Sequence, residues 1–393
     1  MTKGPGFIPY ARQDVNENDV RAVIDVLESR WLTQGPSIEL FERAVADYCG
    51  ARYAVAVSSG TAALHIACAA IGMKAGKRLW TSVNTFVASA NCARYCGAEV
   101  DFVDIDPGTY NLSVVALAAK LVQAEAEGTL PTAVVPVHFA GQPCPMEKIQ
   151  ELARRYGIAV IEDATHALGA TRQNVRIGSC AHADMCVLSF HPVKIITSGE
   201  GGMVLTNQRE LYEKLVRLRS HGITRNSEFM IGTPDGPWYY EQVDLGFNYR
   251  ITDIQAVLGL NQLQRIDSFI ARRREIARRY DVELAGLPLV LPWQDEAGRS
   301  SYHLYVVRLR LDRLKRTRLE IYQRLWARKV QVNVHYIPVH LQPYYRSLGF
   351  SEGAFPEAER HYREALSIPM YPALTDSEQD VVIDALRQSL ADS

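Results

Sequence analysis

The sequence predicts an α/β protein, with a large domain on a mostly parallel seven-stranded sheet and a smaller C-terminal α/β domain. Two apolar runs, Ile158 to Ile161 and Met185 to Leu188, read as buried parallel strands, and each spills into polar residues at its carboxyl end. Upstream, Tyr53 to Val57 runs into Ser58-Ser59-Gly60-Thr61 and on into a helical pattern of Ala62, Leu64, Cys68 and Ile71, a strand, turn and helix in one stretch. A length of 393 residues suits one large and one smaller domain. We divide the chain into residues 1–260, the large domain with an N-terminal arm, and 261–393, a long linking helix and the small domain.

In chain order, an extended arm reaches about Gln13. A helix follows from roughly Asn18 to Ser29, capped by Asn16 or Asn18, with Val20, Val23, Ile24 and Leu27 on one apolar face. Trp31 to Pro36 is a loop, and the next helix bears Ile38, Phe41, Val45 and Tyr48. Arg78 to Val83, Glu99 to Ile105 and Thr132 to Phe139 are further strands, and a helix from Met146 to Tyr156 feeds the strand ending at Glu162-Asp163. Gly72 to Lys77 is one residue short of a P-loop and reads as a surface turn. The glycines of Gly199-Glu200-Gly201-Gly202 permit a sharp reversal, so the run Met203 to Leu205 is expected to be antiparallel. After a helix from Leu211 to Arg219, the polar stretch His221 to Pro237 suits a flexible loop over a cleft. A long helix from about Thr252 to Tyr280 is expected to kink near Ile266, and its arginines 272 to 274, 278 and 279 read as a solvated face. Beyond Leu289, Tyr302 to Leu309 and Val330 to Tyr336 read as strands. Arg313 to Arg328 reads as a helix burying Leu314, Leu319, Tyr322 and Leu325, and Ser377 to Leu390 as the closing helix.

The strand ends carry the chemistry. In an open α/β sheet the binding crevice lies outside the carboxyl ends of the strands, where Asp163, Ser189 and Lys194 would converge. A lysine that links to an aldehyde, a carboxylate that keeps a pyridine nitrogen protonated and a hydroxyl for phosphate together point to pyridoxal phosphate. Lys194 is the candidate for the link. Glu162 and Asp163 must face opposite sides of the sheet, and from pattern alone either acid fits the ring nitrogen. Taken singly, Asp163 is equally a helix cap and Lys194 a solvated loop residue. Ser58 to Thr61, a small-residue turn opening a helix, forms an anion site from free backbone N–H groups, in which Gly60 allows close approach and Thr61 adds a hydroxyl.

SFHPVKIITSGEGG, with EDATHALGA before it and SSGTAAL far upstream, closely resembles the DegT/DnrJ/EryC1/StrS sugar aminotransferases. The likeness continues through LTQGP, TFVASAN, GFNYRITDIQAVLGLNQL and HYIPVHLQPYY. It implies a fold-type I, aspartate-aminotransferase-like enzyme that uses pyridoxal 5'-phosphate. It also implies that Phe86 stacks on the cofactor ring, His166 lies near its phenolic oxygen, Ser189 binds its phosphate, and the LTQGP loop lies near the active site. Asn248 is implied to reach the phosphate of the partner subunit's cofactor in a homodimer with shared sites, although Asn248 as a cap for the helix near Thr252 is the plain alternative. Arg250, His335 and Tyr336 are candidates for the substrate. The implied reaction is amination of the C4 keto group of a UDP-4-keto-6-deoxy-N-acetylhexosamine with L-glutamate as donor. Amination of another nucleotide keto sugar is the alternative. The related sugar dehydratases replace the lysine with histidine, whereas Lys194 is present here.

Composition narrows the rest. A formal net charge of -1 gives no general attraction to nucleic acid or an anionic membrane, and neither end is basic. No apolar run approaches a membrane span and the first residues lack a signal-peptide core, so a cytoplasmic location is expected. Seven cysteines scattered through apolar segments fit reduced thiols, and Cys92 and Cys96 lack further ligands to complete a metal set.

Overall fold

Side-chain alternation along the strands decides which core each residue joins. In β1 (Tyr53–Val57), Val55 and Val57 face one apolar core while Ala54 and Ala56 face another. The computed structural model describes residues 6–391. β2 (Arg78–Ser82), β3 (Glu99–Val103), β4 (Ala133–Val135), β5 (Ala159–Asp163), β6 (Met185–Ser189) and β7 (Gly202–Thr206) complete a seven-stranded sheet in the order β1-β7-β6-β5-β4-β2-β3. β2 to β6 pair in parallel. β7 is antiparallel to both β1 and β6, as the glycine reversal before it requires. Both faces are covered, so the strands read as nearly continuous apolar runs.

The helices are α1 (Glu17–Leu27), α2 (Pro36–Cys49), α3 (Gly60–Ala70), α4 (Ala88–Tyr95), α5 (Val114–Glu127), α6 (Met146–Tyr156) and α7 (Arg209–Arg219). The kink expected near Ile266 is a break that divides the long helix into α8 (Asp253–Leu263) and α9 (Ile266–Glu283). The break falls at Gln264-Arg265, where the Arg265 guanidinium is held by Asp14 at 2.8 Å and by the fully buried Asp19. Three helix caps are well defined. Asn16 caps α1 through a reciprocal box with Asp19. Thr252 caps α8 with Gln255, which removes the reading of Asn248 as that helix's cap. Ser59 caps α3.

A second, antiparallel sheet, β8 (Leu289–Val290), β9 (Tyr305–Leu309) and β10 (Ala365–Ile368), packs with α9, α10 (Arg318–Ala327) and the closing helix Asp376–Leu390 around a separate core. The N-terminal arm docks there. Residues 1–5 of the expected arm lie outside the described residues, but Ile8 bridges Val330 and Tyr10 accepts the Met370 amide.

Several expectations fail here for identifiable reasons. Val330 to Tyr336 is not a strand, because its backbone groups go to Ile8, Ser367 and the Asn84 side chain instead of a continuous neighbour. Residues before Tyr305 are not strand either: Tyr302 has a φ of 49° and Ser301 donates to the His166 carbonyl. Thr317 starts α10 later than expected, and its phase buries Ile321 and Leu325 while leaving Leu319 exposed. The apolar face expected for α1 is largely exposed, with Val20 at 51 % and Leu27 at 55 %, and the buried side is Asp19 and Val26. Nor are the arginines of α9 all solvated. Arg273 is buried and donates to the carbonyls of Tyr302, His303 and Met370.

Candidate active site

The carboxyl ends of β1, β5 and β6 open into one cavity of about 500 Å³, walled on the far side by residues 333–336 and His303. Gly60, Thr61, Phe86, Asp163, His166, Ser189 and Lys194 all line it, as do His335 and Tyr336. Asn248 and Arg250 do not. Asn248 is exposed on a segment bridged to Ser220. Arg250 lines a separate cavity of about 350 Å³ with Gln34, Gly35, Glu42 and Arg219. The LTQGP loop belongs to that second cavity, so within one chain it does not border the first.

Each side chain is placed by a local rule. Ser189 ends β6 and Gly60 opens α3. The two touch so closely that a Cβ on Gly60 would stand 2.9 Å from the Ser189 Cβ. Gly202 is constrained likewise, since its Cβ would meet the Ser59 carbonyl at 2.3 Å. These contacts bring the first-turn amides of α3, which have no acceptor within the helix, beside the Ser189 hydroxyl. A phosphate fits that cradle of amides and hydroxyls.

Lys194 follows β6 in a turn closed by its amide to the His191 carbonyl at 2.9 Å. Burial pulls its amine down to about 8, while Asp163 pulls the other way. Asp163 is 3 % exposed, and its Oδ1 accepts the Thr165 amide at 3.1 Å while Oδ2 accepts the Ser89 hydroxyl at 2.7 Å. Glu162 points to the opposite face and meets the His138 Nε2 at 2.8 Å. Burial opposes charge on that ring, but Cys144 and Glu162 favour it and raise its pKa to about 10. The Cys144 amide donates to Nδ1, so Nε2 carries a proton and donates to Glu162.

The same logic fixes His166. Its Nδ1 accepts the Ala140 amide at 3.3 Å, so Nε2 carries the proton and donates to the Tyr336 phenol oxygen at 3.1 Å. Burial, then the Lys194 charge, holds His166 neutral, well below the usual histidine value. Burial also pushes His335 down to about 3 and the Tyr336 phenol up. The His335 Nδ1 lies 2.7 Å from the Ser367 hydroxyl, and both His335 and Tyr336 line the cavity. Phe86 is 57 % exposed at the cavity wall, not packed in a core, and its ring lies 6.3 Å from that of Tyr336.

Sequence reasoning missed three wall residues. Ser89 and Thr85 sit inside the TFVASAN motif, but only the fold brings them to Asp163. His303, tilted against His166 at 4.3 Å between ring centres, has an Nδ1 without a hydrogen-bond partner among the described residues. A histidine two residues before a strand carries no local signal for that position. Among the described residues no cluster of histidine, cysteine and acidic side chains is arranged to hold a metal ion, and all seven cysteines are free thiols.

Comparison with known proteins agrees with this geometry. The chain is 37 % identical over 382 residues to GDP-perosamine synthase of Caulobacter vibrioides, with 96 % of each chain covered. It is 34 % identical to the UDP-4-amino-4,6-dideoxy-N-acetyl-beta-L-altrosamine transaminase of Campylobacter jejuni, covering 97 % of this chain and 96 % of the relative. The PLP-form of the sugar aminotransferase Spr1654 from Streptococcus pneumoniae superimposes with a TM-score of 0.87 at 27 % identity, covering 98 % of both chains. The sequence profile of one family matches residues 13–387, and the chain therefore belongs to the DegT/DnrJ/EryC1/StrS aminotransferase family.

Proposed function

We propose that this enzyme transfers the amino group of L-glutamate to the C4 keto carbon of a UDP-linked 4-keto-6-deoxy-N-acetylhexosamine, in the making of a bacterial surface sugar such as pseudaminic acid. Pyridoxal phosphate is the cofactor. The carrying observation is the convergence of Lys194, Asp163 and the α3 amino terminus in one cavity. When bound, the cofactor supplies an electron sink that lets a proton leave the amine-bearing carbon. Lys194 attaches it and carries the proton from the glutamate Cα, later delivering one to C4 of the sugar. Asp163 faces the ring nitrogen, Phe86 stacks on the ring, and Gly60, Thr61 and Ser189 take the phosphate. His166 lies near the phenolic oxygen, and His335 and Tyr336 face the sugar.

The choice of UDP rests on the Campylobacter relative, whereas the slightly more similar Caulobacter protein favours a GDP-linked 4-keto sugar. Release of 2-oxoglutarate from glutamate, measured with each nucleotide sugar in turn, decides between them. Turnover with the GDP sugar alone would remove the UDP reading.

We also propose a homodimer with shared sites in the cytoplasm. The uncovered apolar face of α1, the exposure of Asn248 and the placement of Arg250 in a separate cavity support it. We propose two domains, 1–260 and 261–393; the separate C-terminal core supports two domains, although the line at 260/261 passes through α8, and Leu263, Ile266, Phe269 and Ile270 still pack in the large-domain core. Mixing inactive Lys194→Ala with inactive Asn248→Ala subunits should restore activity in heterodimers. Persistent inactivity despite subunit exchange counts against shared sites.

A further inference from the structure

We propose that Ser89 is a positioning residue for Asp163, and that Thr85 fixes the direction in which Ser89 donates. This rests on the reading of Asp163 as the partner of the cofactor's ring nitrogen. A carboxylate has no proton to give, so the 2.7 Å contact between Ser89 Oγ and Asp163 Oδ2 is a donation from serine. With its only proton committed, the Ser89 oxygen is the acceptor of the 2.8 Å contact with Thr85 Oγ1. The result is a one-way relay, Thr85 to Ser89 to Asp163, in which all three residues are buried.

The backbone at Asp163 is clamped independently, its amide to the Pro136 carbonyl at 2.9 Å and its carbonyl to the His138 amide at 3.1 Å. Side-chain rotation is the freedom left, and Ser89 with the Thr165 amide removes it by occupying one site on each oxygen. Ser89 is itself tied to the ring-facing wall, since its amide donates to the Phe86 carbonyl at 3.2 Å. One turn, residues 85–89, thus sets the height of the Phe86 ring and the angle of the acid together. Loss of the hydroxyl leaves Phe86 in place and frees the carboxylate, a separation that a purely structural serine would not produce.

The test uses pyridoxal phosphate labelled with nitrogen-15 in the ring, bound to the wild-type enzyme and to Ser89→Ala, Thr85→Val, Ser89→Thr and Asp163→Asn. Ser89→Ala is expected to move the ring-nitrogen resonance part of the way towards that of Asp163→Asn and to weaken cofactor binding roughly tenfold, the scale of one charge-assisted hydrogen bond. Thr85→Val should move both readouts in the same direction by less, and Ser89→Thr should restore them. A Ser89→Ala resonance equal to wild type overturns the proposal, including where binding alone is weakened, because that is what a packing role predicts. Should Ser89→Ala not fold, an unchanged resonance in Thr85→Val overturns it. If Asp163→Asn itself leaves the resonance unmoved, the assignment of Asp163 fails first, and the two failures are told apart.

Discussion

Asp163 and Glu162 are neighbours on one strand end, yet the two faces of the sheet treat them in opposite ways. Glu162 meets a histidine that is locked by a backbone amide and closed off from the cavity. Asp163 is held just as firmly, by Ser89 and Thr165, but on the face that opens to Lys194. Burial and hydrogen bonding are similar on both sides, so they do not by themselves mark a functional acid. What separates the pair is the neighbour across empty space, a half-buried lysine with a lowered pKa on one side and a satisfied structural pair on the other.

The contrast breaks most visibly at the lysine. Lys194→Ala should lose turnover by about 10⁴-fold or more while still taking up cofactor through the phosphate cradle, without a borohydride-reducible link. Labelling of some other lysine with activity retained would move the nucleophile elsewhere. Next, Asp163→Asn should cost roughly 10³-fold in kcat, about 4 kcal/mol of barrier, with the fold intact by circular dichroism. A smaller effect is expected with pH. An amine near 8 is about a tenth uncharged at pH 7 and about nine-tenths at pH 9, so covalent attachment of cofactor to the apoenzyme should speed up roughly tenfold across that interval. A rate flat over those two units would mean that the amine is not released from its charge by burial. The smallest change in activity belongs to the back face: Glu162→Gln should stay within about threefold in turnover while losing about 1–3 kcal/mol of stability in denaturant melts. Equal kinetic damage from Glu162→Gln and Asp163→Asn would erase the distinction between the faces.

Much of this is legible in the sequence. The strand ends are punctuated by chemistry-bearing residues, and the alternation of side chains guarantees that only one of two adjacent acids enters the crevice. Which one enters is not local information, because it depends on the His138 ring rising from the next strand. The turn at Ser59-Gly60-Thr61, proposed for the phosphate, could be placed in the sequence because strand, small-residue turn and helix start are contiguous. Ser89 and His303 were not, since each becomes part of the cavity through contacts spanning 74 residues or more, to Asp163 and His166 respectively. α1 misled for a different reason. Its apolar stripe is real, but amphipathicity says only that a face seeks cover and not that the same chain supplies it.

Arg273 carries a mechanical consequence. Its guanidinium reaches from α9 to carbonyls at Tyr302, His303 and Met370. Sliding α9 along the second sheet would strand a buried cation among unanswered carbonyls, at a cost of several kcal/mol. The helix and that sheet are therefore obliged to travel as one body.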